Sequence, residues 1–475
     1  MALDTRVRAL LWLVLDVAVR VVRAPDPRCL VLAVGCWLVA GLAAPAGAFE
    51  LPESPMPYLL AGQATAIWQY KPAFHSPYQG TNSLRGGTED ALSHSYSLYL
   101  GLRALPWVEL YFCPEMVRGS GLSNALGLAG FTNGEVIRNP SLGGEPYIAR
   151  AFARLTIPLS DETVELQPSQ LEIGGTVPAR RLEFVGGVLA TNDLFDTNRY
   201  ANSARTQFMN WALITNPAFD FAADTRGYSR GIAGTWYGDG TSVMAGIFQM
   251  PTVANGIELD SDVIHANGMQ LEVDQDVTLL EGRPLVLRAL FYRNLARMGS
   301  YSKSLHLARE QGDTPVIAAT AKRGRQKYGF VINVEQPLAD DGNTGLFARL
   351  GWNDGANESF AFTEAERNVS VGAQIAGASW HRPDDRVGIA FDAEELGNLH
   401  AAYLGAGGLG FILGDGRLTR RPEIVTETYY LLQLLDWLAI TVDYQFIDNP
   451  GYNRDRGPVS VVSLRGHIEG LASGG

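Results

Sequence analysis

Cysteine is scarce: Cys29, Cys36 and Cys113 are the three in 475 residues. So few exclude a disulfide framework, and their spacing excludes a zinc site. Basic charge is outweighed, with 38 Lys and Arg against 50 Asp and Glu and a net charge of −12. General nucleic-acid binding needs a basic footprint that this chain does not have. Past residue 48 no apolar run approaches the roughly 18 residues of a spanning helix. The HExxH, GxSxG and EF-hand patterns are missing as well, so no metal, cofactor or enzymatic chemistry is expected.

The N-terminus holds the first positive signal. Arg20, Arg23 and Arg28 precede an apolar run from Cys29 to Ala44, and Ala46-Gly47-Ala48 follows before Phe49. That order is the charged, apolar and small-residue order of a secretory leader. Residues 1–48 are expected to be removed by a cut between Ala48 and Phe49, leaving 49–475 as one exported domain. Asp16 interrupts an earlier apolar stretch, which points to a translation start downstream of Met1.

Short alternation dominates the rest. Leu98, Leu100 and Leu102 share one face; Tyr99, Gly101 and Arg103 share the other. Val108, Leu110 and Phe112 oppose Glu109 and Tyr111, and Ala149, Ala151, Ala153 and Leu155 oppose Ile148, Arg150, Phe152 and Arg154. Leu182 and Phe184 oppose Arg181 and Glu183. Later come Tyr328, Phe330, Ile332 and Val334, then Val369, Val371, Ala373 and Ile375, then Val387, Ile389 and Phe391, then Ile440, Val442, Tyr444 and Phe446. Period-two alternation means half-buried strands. Strands with Arg, Glu and Lys on one face, apolar residues on the other and many aromatics suit a transmembrane antiparallel β-barrel: apolar residues face lipid, polar ones a wet lumen. At about 25 residues per strand and connection, 49–475 makes 16 strands, with 18 as the alternative.

One stretch fits neither period: Asp193 to Tyr228, DLFDTNRYANSARTQFMNWALITNPAFDFAADTRGY. It mixes Asp193, Asp196, Arg199, Arg205, Asp220, Asp224 and Arg226 with seven aromatic side chains. A long irregular segment of this composition is more often functional than disordered. The expectation is that inward-folded loops narrow the lumen and that this stretch supplies groups along the narrowed path; which loop folds inward is left open.

Its motifs carry a resemblance. Asp193-Leu-Phe-Asp196, Asn198-Arg-Tyr200-Ala201, Arg205-Thr-Gln-Phe208-Met-Asn210-Trp211 and Ala223-Asp224-Thr225-Arg226-Gly227-Tyr228 are similar to the central signature of the carbohydrate-selective porins. So are Phe112-Cys-Pro114-Glu115, Gly130-Phe131-Thr-Asn133-Gly134-Glu135, Phe347-Ala-Arg349-Leu-Gly351-Trp352-Asn353-Asp354-Gly355, Trp380-His381-Arg382-Pro383-Asp384-Asp385 and Asn449-Pro-Gly-Tyr452-Asn453. The resemblance implies a 16-stranded outer-membrane barrel of a Gram-negative bacterium with a narrowed, charged lumen. It also implies passive diffusion of glucose and other monosaccharides into the periplasm. Two positions depart from the family: His381 stands where it carries Gly, and the last strand is expected to end near Gly470, trailing off as LASGG without a terminal aromatic residue.

Neutral, hydroxyl-rich sugars call for Arg, Asp and Glu that trade hydrogen bonds and for aromatic faces that pack the pyranose ring. On the polar strand faces these are Arg103, Glu109, Arg150, Arg154, Arg181, Glu183 and Arg349, with wall-to-wall ion pairs as the alternative role. For the constriction they are Glu115 and Arg118 in a Pro-Glu loop, with Arg199, Arg205, Asp224 and Arg226. Trp211 and Trp380 are stacking candidates, membrane-girdle positions being their alternative. Gly405 to Gly410 matches G-x-G-x-x-G, but Phe411-Ile-Leu and a Gly-Asp-Gly turn suggest strand and hairpin rather than the strand-turn-helix a dinucleotide needs. Asp193 and Asp196 as a glycosidase pair lack the required separation across a sugar. The partners expected are mono- or small oligosaccharides, outer-membrane lipid and the barrel-assembly machinery. A monomer is expected, with a trimer as the alternative. The competing functions are a polysaccharide-export barrel and a secreted carbohydrate-binding β-protein with no channel.

Overall fold

The computed structural model describes residues 57–137, 142 and 144–474. The leader and its cut between Ala48 and Phe49 lie outside the described residues. Four strands come first: β1 (Tyr58–Lys71), β2 (Glu89–Leu105), β3 (Val108–Gly119) and β4 (Tyr147–Pro158). A small hairpin of β5 (Thr163–Leu166) and β6 (Gly175–Pro178) follows, then β7 (Arg181–Leu189), β8 (Ser229–Tyr237), β9 (Thr241–Gln249) and β10 (Asn267–Leu280). The chain continues through β11 (Arg283–Met298), β12 (Lys322–Ala339), β13 (Thr344–Asn353) and β14 (Arg367–Gly377). It ends with β15 (Arg382–Glu395), β16 (Glu423–Leu435), β17 (Leu438–Asp448) and β18 (Val459–Gly474).

All but β5 and β6 form one closed antiparallel barrel of 16 strands among the described residues. Closure comes from β1 against β18, in register from Tyr58–Gly474 to Tyr70–Val462. The last strand therefore does not stop near Gly470; Leu471, Ala472 and Ser473 stay paired with β1, because ladder hydrogen bonds need only backbone.

The outer surface follows from the alternation. Val369, Val371, Ile389, Val442, Leu92 and Phe291 are each about half exposed, while their neighbours in sequence are buried inside. So large an apolar surface needs lipid to cover it. Exposed Trp68, Tyr70 and Tyr328, with half-buried Trp352, ring one end, and exposed Tyr58, Trp236, Tyr430 and Trp437 the other, as membrane-interface girdles do. One expected face is wrong. At Ile148–Arg150 the β3–β4 register shifts, so Ile148 points outward and Ala149 is fully buried against Ala190 and Tyr228. The extra residue of a β-bulge reverses the parity of everything before it.

Most turns between strands at one end are short, such as Pro106-Trp107 and Glu281-Gly282; those at the other end are long, such as 190–228 and 396–422. In outer-membrane barrels the short turns are periplasmic. One short-turn-end connection is not short: residues 159–180, which contain β5 and β6. At the turn after β14, His381 adopts φ 63°, the left-handed region a Gly enters without a Cβ penalty. At the long-loop end two helices, Tyr301–Gln311 and Asn398–Gly405, pack into a cap with Ile412, Leu413 and Tyr452. The G-x-G-x-x-G stretch begins where the second helix ends, and 406–422 is irregular loop rather than strand and hairpin. Neither a strand nor the tight turn of a dinucleotide site precedes a helix there.

Candidate functional site

An irregular backbone at membrane depth is tolerated only where protein or water satisfies its N–H and C=O groups. Residues 190–228 meet that condition inside the barrel, where the inward side chains of β10 to β18 meet their backbone. The segment descends from the long-loop rim, reaches the periplasmic turn after β12, and climbs back. On the way down, the Asp196 N–H donates to Glu272 (2.9 Å), Arg199 N–H donates to Glu335 (2.7 Å), and Tyr200 Oη donates to Gly342 O (3.0 Å). On the way up, Arg465 donates to the carbonyls of Ala204 (2.6 Å) and Gln207 (2.8 Å), and Met209 and Asn210 N–H donate to Glu427. Tyr292 Oη and Asn353 Nδ2 both donate to Ala218 O. Each such group left bare would cost about 1–3 kcal/mol. Two wall glycines give the segment room: a Cβ at Gly345 would lie 2.2 Å from Tyr200 Oη, and one at Gly351 2.1 Å from Asn216 Oδ1.

Apolar packing completes the seal. Trp211, Phe221 and Phe362 form one aromatic stack with Phe131, and Phe208 packs between Phe347 and Tyr429. Trp211 is buried in that stack, so its ring is closed to a passing sugar.

The other wall, from β2 to β7, holds charges that keep contact with solvent. Arg103 pairs with Glu109 at 2.8 Å, and Arg154 reaches both Glu109 (3.1 Å) and Glu172 (2.7 Å). Arg150 pairs with Asp193, its Nη2 2.7 Å from Oδ1. Arg205, carried by the inserted segment, bridges across to Glu115 (2.9 Å), Glu135 (2.7 Å) and Tyr99 Oη (3.0 Å). Arg181 and Glu183 pair beside the Tyr237 ring. The side chains of Arg103, Arg150, Arg154 and Arg205 keep 12–17% of their surface exposed, and Glu172 and Asp193 keep 22% and 26%. Aromatic rings back them: Arg154 lies over Tyr111, itself stacked on Phe152 at 4.8 Å, and Arg150 over Tyr228.

Several candidates sit elsewhere than expected. Glu115 is in no loop. It belongs to β3, points inward, and accepts from Ser97, Tyr147, Tyr228 and Arg205, because the kink at Pro114 is absorbed by a bulge rather than ending the strand. Arg118 closes the same strand, exposed at the long-loop rim, and donates to Gly144 O. Arg349 is the plainest correction: its side chain is fully buried, paired with Asp196 at 3.1 Å and donating to the carbonyls of Asp196, Leu213 and Ala201. It holds the segment and is sealed from the lumen. Arg199 is exposed at the periplasmic turn, donating to Asp341 O. Trp380 lies in the turn after β14 and donates to Tyr430 Oη, in the periplasmic girdle. Asp224 accepts the N–H groups of Arg226 and Tyr228, shaping the turn into β8, and burial pushes its carboxyl up to about 6. Arg226 lies over the Tyr147 ring at 4.3 Å. Asp193 and Asp196 are committed to different arginines, Arg150 and Arg349, on opposite walls, and so are no catalytic pair.

Glu135, Glu172, Tyr99 and Tyr147 join the charged cluster on this wall without having been nominated for the path, and Asp193 and Tyr228 join it from the stretch singled out in the sequence. Tyr99 and Tyr111 could have been found from their polar strand faces. Glu172 could not, because nothing in 159–180 signals that its tip turns inward.

The family described as carbohydrate-selective porin, OprB family matches residues 92–469. Among solved structures, the high-pH structure of Pseudomonas putida OprB is similar with a TM-score of 0.64 and 15% identity, over 88% of this chain and 94% of that one. The outer membrane channel DcaP of Acinetobacter baumannii is similar with a TM-score of 0.48 and 11% identity, over 89% of this chain and 99% of that one. No curated protein sequence matches.

Proposed function

This chain belongs to the carbohydrate-selective porin family, and from that premise we propose that it passes monosaccharides, glucose among them, into the periplasm by passive diffusion. As a family member with this barrel it is an outer-membrane channel rather than an enzyme. The sugar preference rests on one observation: along the β2–β7 wall, Arg and carboxylate groups alternate in pairs that keep some contact with solvent and are backed by tyrosine rings. Paired charge offers successive hydrogen bonds to neutral hydroxyls without holding an ion, and weak binding is what flux requires. The path runs past Arg103, Arg150, Arg154 and Arg205. The protein reaches its membrane through the leader ending at Ala48, is inserted by the barrel-assembly machinery, and works as a monomer.

Conductance of the purified channel in planar bilayers tests this reading. Ion current falls as glucose is added, and Arg205→Ala weakens that block. A current indifferent to glucose at high concentration would sink the substrate assignment.

A further inference from the structure

Among the described residues the connection from β4 to β7 is the one long excursion at the periplasmic end, and it does not hang into the periplasm. Its tip, Gln167 to Gly174, turns back into the barrel mouth. There Arg154 donates to Leu171 O (3.0 Å) and pairs with Glu172, Arg103 donates to Gly174 O (2.8 Å), and Ile173 N–H donates to Tyr111 Oη (3.2 Å). Gln170 reaches further, to Gln63 on β1 (3.0 Å) and Glu469 on β18 (3.2 Å). In the strand order β7-β4-β3-β2-β1-β18 the hairpin therefore arches over the periplasmic ends of three strands, β3, β2 and β1, between its root on β4 and β7 and its farthest contact on β18. Ile173 is buried against the wall, so the tip is packed in place rather than resting on the rim.

We propose that this hairpin tip is a second, periplasmic constriction, and that Glu172 is a selectivity-determining residue supplied to the path by a connection rather than by the barrel wall. The charges it joins are Arg103, Glu109 and Arg154. With Glu172 in place that cluster holds two cations and two anions; without it, one positive charge is left over in a narrow, poorly solvated passage. Uncompensated charge at close quarters sets which ions and which charged sugars pass. The wall arginines thus need the hairpin to remain suited to neutral solutes, and the hairpin needs the arginines to stay seated. This inference rests on the channel reading alone, not on the identity of the sugar.

Reversal potential across a KCl gradient tests it, since that readout needs no sugar and stands whether or not glucose blocks the current. Glu172→Gln keeps the shape of the side chain and removes its charge; its permeability ratio is expected to move toward anions by about twofold or more. Glu165→Gln makes the same change on the exposed part of the hairpin and is expected to leave the ratio alone. Replacing 163–178 by a short Gly-Ser link is expected to raise single-channel conductance. The proposal is overturned if Glu172→Gln leaves the reversal potential in place, if Glu165→Gln shifts it equally, or if the shortened channel conducts as the full chain does.

Discussion

The two walls of this lumen are built from the same residue types and use them oppositely. Where the inserted segment leans on β12 to β18 the inward charges are sealed: Arg349 and Lys327 and their segment partners Asp196 and Asp220 have side chains at most 3% exposed, and Glu427 and Arg465 are fully buried, whereas toward β10 and β11 Arg288 and Asp274 keep 11% and 26% exposed. The sealed charges serve the backbone of the inserted segment. From β2 to β7, Arg103, Arg150 and Arg154 pair with carboxylates as readily, yet remain partly wet. What separates the walls is how much irregular backbone leans on them: the hairpin tip takes one carbonyl bond each from Arg103 and Arg154, whose other partners are side chains. A polar side chain covered by backbone on every side becomes scaffold; one with solvent alongside stays available to a solute.

The contrast is broken most severely from the sealed side. Arg349→Ala removes the cationic partner of Asp196, whose carboxylate keeps Asn333 and the Asn216 N–H, and takes the side-chain donor from the Leu213 and Ala201 carbonyls. Breaking a buried pair from one side costs about 3–5 kcal/mol. A lowered unfolding midpoint in detergent is expected, with larger and noisier single-channel currents as the segment loosens. Arg349→Ala with wild-type stability and conductance would erase the distinction between the walls.

The cap above the sealed wall gives the next largest effect, through pH. His400 lies between Glu364 and Glu366 and stacks on Tyr301 at 4.3 Å. Against the burial that would lower it, Glu366 holds the His400 pKa up at about 9. A raised folded pKa stabilises fully below the ordinary value of 6.5 and is lost as pH climbs through 9. Burial pushes Glu358 up to about 7, which weakens the cap in the same direction. Glu366 itself, although buried, is held below its ordinary range by His400, and its contribution disappears as pH falls through its folded pKa. Hydrogen-exchange protection of Asn398–Gly405 should therefore be highest near pH 5–6.5 and decline toward 9. His400→Gln should flatten the alkaline side. A profile unaltered by that change would detach the cap from this triad.

Arg154→Ala probes the open wall. Its partners Glu109 and Glu172 keep 9% and 22% of their side-chain surface exposed, and Glu109 keeps Arg103. Stability is expected to fall by about 1–3 kcal/mol, less than for Arg349→Ala, because a compensating cation and some solvent remain. Glucose block and ion selectivity should both change. A collapse in stability comparable to Arg349→Ala would mean that the two walls do not differ.

The barrel was legible because lipid on one side and water on the other impose a period of two that a reader can count. The aromatic girdles were legible for the same kind of reason: composition fixes environment. The composition of 193–228 marked a functional stretch along a narrowed path, but not which loop folds inward. The division of labour among inward residues was not. Arg349 and Arg154 share parity, chemistry and strand context, and only the path of a segment more than a hundred residues from Arg349 decides that one is scaffold. Pro114 suggested a loop where the strand absorbs it as a bulge, and one extra residue at Ala149 reversed a face. The hairpin tip was missed because residues facing the periplasm and residues turned back into the mouth are equally polar.

The smallest effect is expected where the segment leaves the sealed wall. Arg199 looked like a constriction residue, but its anchoring group is its backbone N–H on Glu335, while its guanidinium is exposed and meets only Asp341 O in the periplasmic turn. If the sealed wall grips backbone rather than side chains, Arg199→Ala keeps the anchor intact. The expected change in stability is within about 0.5 kcal/mol, and conductance and glucose block should match the parent channel. A clear rise in conductance would place the Arg199 side chain on the path after all, and would extend the wet wall around the periplasmic mouth to β12.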